Sequence, residues 1–426
     1  MDQLAAIPAR ASLRMPGLSS TRRVVLAASL LAMAVALLAF PAVLSDAMLG
    51  ALGKAMIAAV FALAFNLLAG QAGMLSFGHA AYFAIGTFAT VHGMNAIERG
   101  FPLPTPLVPL IGAGAGFLAG IAAGYFATKR SGVYFAMVTL AIAELLHSLA
   151  PNLEGFFGGE VGLSSFRQPF MGITFGKESE VYYLILAWTA IAVLLLWAYT
   201  RSLFGRLTLA CRESEKRLPA LGYDIHKTKI LIFSVSGLFS GLAGGLLAVS
   251  TESANYALFH SAGSAAVVLH TFIGGSGLFL GPALGAFCLT LFGFVTSDLT
   301  RSWLFYQGLL FIVVMLLAPH GLARWIADEG ERLVRGGGRA VLRLALLLAA
   351  LLLATTAVVL LAELAHTLLS RDYQAVASRS GVYAPIKVLG HAWAPGAVVT
   401  WLVPLLLIAA SAVVARLVKR FGEASP

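Results

Sequence analysis

Apolar stretches of about twenty residues recur along this chain, and no other feature restricts its folding as much. They run near 24–45, 48–69, 75–97, 104–127, 132–150, 181–200, 228–250, 303–318, 341–363 and 398–418. A helix of about 20 apolar residues matches the hydrocarbon thickness of a bilayer. The stretch 263–297 is too long for one simple helix and contains GGSGLFLGP (Gly274 to Pro282), so it reads as two short or broken helices. The expected fold is all-α, a polytopic membrane protein with about ten to twelve transmembrane helices, some broken. Composition agrees: 59% of residues are hydrophobic and 11% charged, against roughly a quarter charged in soluble domains. No sizeable soluble domain is expected.

The formal charge of +10 reads as cytoplasmic loops rich in Lys and Arg rather than as a nucleic-acid surface. Segment 1–23 holds Arg10, Arg14, Arg22 and Arg23 and is expected to be cytoplasmic, leading into an uncleaved first helix. Segment 201–229 carries Arg201, Arg206, Arg212, Lys216, Arg217, Lys227 and Lys229. Counting spans from there puts Lys129 and Arg130, the Arg324–Arg343 group and the basic C-terminus on the same side, provided 263–297 crosses twice. Loops 151–180 and 364–397 then lie outside. Cys211 and Cys288 form neither a disulfide framework nor a CxxC pair and read as packing residues.

Asn66 to Gly86, NLLAGQAGMLSFGHAAYFAIG, interrupts an apolar run with Gly70, Gly73 and Gly78 and with Asn66, Gln71, Ser76 and His79. Unpaired polar groups cost several kcal/mol in hydrocarbon, so such a break belongs inside protein or beside water, as in solute pathways. Close helix packing accounts for the glycines equally well but less well for three polar side chains. His79 has no companion at metal-ligand spacing and suits a helix-end hydrogen bond or a pathway contact. Glu144 lies within a span, where a carboxylate costs roughly 2.5–3.5 kcal/mol at the centre, so it should face the bundle. His147, one turn on, is placed to pair with it. In SLFGRLTLACRESEKRLPALGYDIHKTK, a short amphipathic helix ends at Pro219 and Gly222 and offers Ala220, Leu221 and Gly222 as an apolar knob for another protein. GGSGLFLGP also faintly echoes GQAGMLSFG.

AGQAGMLSFGHAAYFAIG, SGVYFAMVTLAIAE, the 202–229 loop and FIGGSGLFLGPALGAF, in this order, resemble the LivM-like permease subunit of branched-chain amino acid ABC importers over about residues 24–330. The resemblance implies a second permease subunit, two cytoplasmic ATPase subunits, a periplasmic substrate-binding protein and a bacterial inner-membrane location. It implies ATPase coupling by Arg206, Arg212, Glu213, Leu221 and Gly222. It puts Asn66, Gln71, Ser76, Gly78, His79 and Thr139 on the substrate pathway, which Glu144 joins as an intramembrane carboxylate. Three segments follow: 1–23 cytoplasmic, 24–335 permease, and 336–426 an appended two-helix membrane hairpin with a basic C-terminus. No GxxxxGK[ST] phosphate loop occurs, so ATP is expected to be used by a partner; no cofactor, metal or nucleic acid is expected. Two other readings are a proton-coupled secondary transporter using Glu144 and an intramembrane enzyme using His79 or Glu144.

Overall fold

The computed structural model describes residues 35–380, 383–388 and 391–423. The expected cytoplasmic segment 1–23 and the first half of the first expected span, 24–34, lie outside them. The principal helices are α1 (Asp46–Asn66), α2 (Ala80–Glu98), α3 (Pro109–Ala127), α4 (Val133–Leu149), α5 (Glu178–Arg201), α6 (Leu203–Glu213) and α7 (Ile225–Thr251). After them come α8 (Ser261–Gly274), α9 (Gly281–Leu299), α10 (Trp303–Leu317), α11 (Leu322–Leu369), α12 (Arg371–Ser380) and α13 (Val398–Glu423). Among the described residues, eight helices are long and apolar enough to cross a membrane. A ninth span arises if α10 and the start of α11, bent by 51°, count as one. The fold is all-α and polytopic, as the apolar runs require.

α2 is not among those eight, because Tyr82, Thr87, Thr90, His92 and Asn95 dilute its hydropathy. It is surrounded by protein instead: Tyr82, Thr87, Thr90 and Val91 are buried. α1 and α7 are likewise mostly buried, whereas α13 is mostly exposed. The centre of the bundle is therefore α1, α2, α3 and α7, with Phe65, Leu63, Val60, Phe239 and Leu246 in one core cluster.

α3 and α7 approach backbone to backbone. A β-carbon on Gly116 would lie 2.8 Å from the Gly241 Cα, and one on Gly237 would lie 3.2 Å from the Gly120 Cα. One on Gly86 of α2 would overlap the Gly241 carbonyl. Membrane helices gain no hydrophobic attraction from each other in lipid, so association rests on such close packing.

The chain between α7 and α9 confirms the expected irregularity of 263–297 and extends it N-terminally. Ser253–Ala254 pairs antiparallel with Leu163–Ser164, and Arg167 Nε donates to Glu252 at 2.9 Å. From this end the chain passes through a short 3-10 turn, with Phe259 stacked on Phe88 of α2. Only then does α8 begin, and with 14 residues it is too short to cross a bilayer unaided.

Beyond α10 the chain differs from the expected simple hairpin. α11 is continuous over 48 residues, so the boundary expected at 335/336 falls inside a helix. Its apolar part is Ala340–Leu369. Three consecutive glycines at 336–338 cost about 3 kcal/mol relative to Ala in a helix, too little to stop one propagating from both sides. The expected loop 364–397 contains α12 and an antiparallel pair of β1 (Ile386–Val388) and β2 (His391–Trp393). Glu363 of α11 accepts from Thr300 Oγ1 at 2.5 Å and Tyr306 Oη at 2.8 Å, tying this addition to the α9–α10 corner. Tyr306→Phe combined with Thr300→Val strands that carboxylate and should cost about 2–3 kcal/mol at this contact. Limited proteolysis should then release the C-terminal segment at least several-fold faster; an unchanged cleavage rate would refute the anchor.

Candidate functional site

α1 does not end as an ordinary helix. Leu67–Gln71 form a π-helical turn, and non-helical chain follows to His79. Its polar backbone and the start of α2 are met from two other elements, α4 and α8. The Phe77 N–H donates to Thr139 Oγ1 of α4 at 3.2 Å. The Ala80 N–H, at the start of α2, donates to Ser264 Oγ of α8 at 2.9 Å. A β-carbon on Gly78 would overlap the Thr139 carbonyl, so only glycine lets the break lie against α4. α2 and α8 thus both begin inside the bundle, with their first turns in contact.

His79 is fully buried. Phe61 stacks on its ring, and Phe65, Tyr82 and Phe233 meet it edge-on or nearly so. The Ser236 hydroxyl donates its single proton to the Ala64 carbonyl at 2.5 Å, so at the 3.0 Å contact His79 Nε2–H donates to Ser236 Oγ. Ser236 is near the middle of α7, which locates the end of the break deep in the bundle. The ring is sealed from solvent, and its bond runs to the middle of α7 rather than to a helix end: His79 directly precedes α2 but makes no side-chain cap to it.

Asn66, Ser76 and Thr139 are buried, and Gln71 is half-buried. Asn66 Oδ1, Ser76 Oγ, His79 Nδ1 and Tyr82 Oη have no hydrogen-bond partner among the described residues. Buried polar atoms without partners are costly and concentrate at functional positions. Phe77 is exposed, so the break reaches a surface. Glu144 is half-buried on α4 and engages none of the described groups. The pairing expected from His147 is absent: that ring lies against Tyr256 and His260, at 5.7 and 5.3 Å between centroids.

The 201–229 segment is an elbow bolted to the bundle. Ser202 caps α6 by accepting from the Gly205 N–H. Apolar and charged residues alternate along α6, so Leu207, Thr208 and Cys211 are buried while Arg206 and Glu213 are exposed. Arg212 turns back to the break: its Nη1 donates to the Gly70 carbonyl at 2.6 Å. Lys229, 3% exposed, bonds Glu215 at 2.7 Å and Ser131 at 3.1 Å, joining elbow, α7 and the α3–α4 turn. Asp224 caps α7, and the Lys227 N–H holds its carboxyl below the ordinary range. Pro219–Leu221 form a 3-10 turn closed by Gly222 at φ +82°, with Leu221 67% exposed. The expected knob is present. Of the two cysteines, Cys211 is buried and burial pushes its thiol up, as a packing residue requires. Cys288 is exposed and does not fit that expectation.

The elbow and the break, bonded between residues 142 apart in sequence, are therefore one unit. Reading the chain residue by residue overlooks Ser236 and Ser264, single hydroxyls in apolar helices with no local signal. Lys229 carried one: a lysine inside an apolar span asks for a partner. Among the described residues no group of three or more His, Cys, Asp or Glu could hold a metal.

The profile of the family described as branched-chain amino acid transport system / permease component matches residues 47–319. That interval holds both break and elbow and stops before α11. The high-affinity branched-chain amino acid transport system permease protein LivM of Salmonella typhimurium is 28% identical over 317 residues, covering 69% of this chain and 74% of the relative. LivM of Escherichia coli matches with the same identity and coverage. A probable LivM of Methanocaldococcus jannaschii is 25% identical over 295 residues, covering 63% of this chain and 84% of the relative. A probable LivH of that organism is 20% identical over 263 residues, covering 58% and 82%. No solved structure matches the chain.

Proposed function

Since this chain belongs to the family of permease components of branched-chain amino acid transport systems, we propose that it is one of two permease subunits in a binding-protein-dependent ABC importer. The cargo we assign is branched-chain amino acids or related small polar solutes. The observation that carries this reading is the contact of a solvent-facing basic elbow with a polar break inside the bundle. A permease driven from one side needs both parts. The cytoplasm lies at the elbow end, where positively charged loops favour it. The setting is the bacterial inner membrane, with the N-terminus cytoplasmic.

In this scheme two ATPase subunits grip the elbow, with Leu221 as apolar contact and Arg206 and Glu213 fixing register. A periplasmic binding protein delivers solute to the opposite end. The pathway runs beside the break, where Gln71, Phe77 and Glu144 are the accessible groups. Asn66, Ser76, Gly78, His79 and Thr139 set its shape from within. ATP is consumed by the partners, since the chain has no phosphate loop. We assign no catalytic step to the permease itself; the burial of His79 among aromatic rings supports this reading. The 336–426 addition lies outside the family match and rides on the α9–α10 corner.

The test is uptake of L-leucine by membrane vesicles containing the chain together with the ATPase, second permease and binding-protein products of adjacent genes. ATP-dependent uptake requiring all components is expected. Uptake driven by a proton gradient without the ATPases would replace this reading with secondary transport through Glu144. Leu221→Asp should reduce co-purification of the ATPases at least tenfold while leaving the permease's thermal stability unchanged. Unaltered ATPase recovery would exclude the knob as the docking contact.

A further inference from the structure

We propose that Arg212 is a positioning residue that carries movement of the elbow into the broken span, rather than a contact for the ATPase. This rests on the importer reading above and gives one residue of the elbow a different job from its neighbours. Arg206, Arg212, Glu213 and Leu221 are all exposed as residues, but among the described residues only Arg212 of these four has a side-chain hydrogen bond into the break. It crosses to the Gly70 carbonyl at 2.6 Å.

Gly70 is where such a link has most leverage. It lies in the π-helical turn, and the helix stops just beyond it, so its carbonyl loses the donor that a continuing helix would supply. The turn's remaining backbone bonds run from Ala72 N–H to Leu67 and from Met74 N–H to Leu68, which leaves Gly70 free for the guanidinium. An unpaired carbonyl is costly in an apolar bundle, and a guanidinium is a permanently charged donor suited to meeting it.

The contact is two-sided. Gly73, at φ +72°, lies against the Arg212 stem, where a β-carbon would be 3.3 Å from its Cγ. A β-carbon on Gly70 would overlap Asn66 Oδ1 and lie 3.1 Å from the Ser276 carbonyl of the α8–α9 turn. One arginine therefore holds the point where α1, the break and the α8–α9 turn meet. The segments GQAG and GGSG, which echo each other in sequence, meet here at Gly70 and Ser276. Rotation of α6 would shift Gly70 first. Through the eight residues that follow, it would shift His79 and the first turns of α2 and α8.

Arg212→Met keeps the stem and removes every donor. In the assembled importer it should retain the ATPase subunits, and hydrolyse ATP within about twofold of the parent, while L-leucine uptake falls at least tenfold. Arg212→Lys, which keeps charge without the planar fork, should recover part of that uptake. A second readout tests position directly. In a chain with Cys211→Ala and Cys288→Ser, maleimide labelling of Phe77→Cys should change at least threefold between nucleotide-free and ATP-vanadate states. Arg212→Met should abolish that change. Loss of the ATPases from Arg212→Met would make Arg212 a docking residue, and uptake or labelling indistinguishable from the parent would make the bond incidental; either result overturns the proposal. Should Arg212→Met fail to accumulate, Arg212→Lys carries the same comparison. Absence of ATPases from the parent complex would instead sink the importer reading.

Discussion

Replacing Gly241 with Leu should eliminate the folded protein, with accumulation in the membrane falling more than tenfold. A β-carbon there would overlap the Gly112 carbonyl and stand 2.8 Å from the Gly116 Cα. Backbone atoms cannot rotate aside as a flexible side chain can, so α3 and α7 would have to separate along their length. Ordinary overpacking costs about 1–3 kcal/mol; here the backbones themselves are displaced, and the loss extends to the α2 contact at Gly86. Gly114 supplies the control. It lies on α3, two residues from Gly116 and so on nearly the opposite face, and a β-carbon on it meets nothing within 4 Å. Gly114→Ala should leave accumulation and uptake unaltered and gain a few tenths of a kcal/mol or more in helix propensity. Equal accumulation of Gly241→Leu and Gly114→Ala, measured by immunoblot of washed membranes, would show that these helices do not pack as described.

His79→Ala should be the most damaging substitution in the break. It empties a site enclosed by four aromatic rings and removes the donor to Ser236, at a cost of about 3–5 kcal/mol by analogy with large-to-small changes in cores. His79→Phe keeps most of the packing and loses the hydrogen bond, so about 1–2 kcal/mol is expected. Gln71→Ala, half-buried and nearer the elbow, should alter uptake without altering stability. Thermal aggregation midpoints of the detergent-solubilised chain separate the three, with the order Gln71→Ala, His79→Phe, His79→Ala. A His79→Ala protein as heat-stable as the parent, with impaired uptake alone, would restore the ring to the solute path.

These outcomes distinguish two kinds of residue that look alike in the linear motif. Gln71, Ser76 and His79 are polar groups within nine positions, and local pattern treats them alike. The fold separates them. Gln71 faces partly outward, Ser76 is buried with its hydroxyl unmatched, and His79 is locked to Ser236. Arg212 and Arg206 show the same limit. Both are exposed basic residues of one amphipathic helix, but the first has its guanidinium on the Gly70 carbonyl and the second does not. Side-chain direction on a short helix depends on what it packs against, and that partner lies in a distant part of the chain.

The 336–338 glycines give the reverse lesson. As punctuation they suggest an end, and the helix runs through them, because local propensity of a few kcal/mol yields to apolar turns on one side and amphipathic turns on the other. α2, within the apolar run at 75–97, is by itself not apolar enough to count as a span, yet it holds the centre of the bundle.

What the linear order of residues settles is whatever bulk solvation settles: membrane residence, helices as the backbone's form, the site of the break and a basic elbow between α5 and α7. Those follow from transfer energies summed over windows of about twenty residues. Contacts across the bundle were decided only by folding: Gly241 on Gly116, Arg212 on Gly70, Ser236 on His79 and Glu363 on Thr300. Each depends on a hydrogen bond or a backbone approach of a few ångströms between segments more than sixty residues apart, and no local preference encodes such a distance.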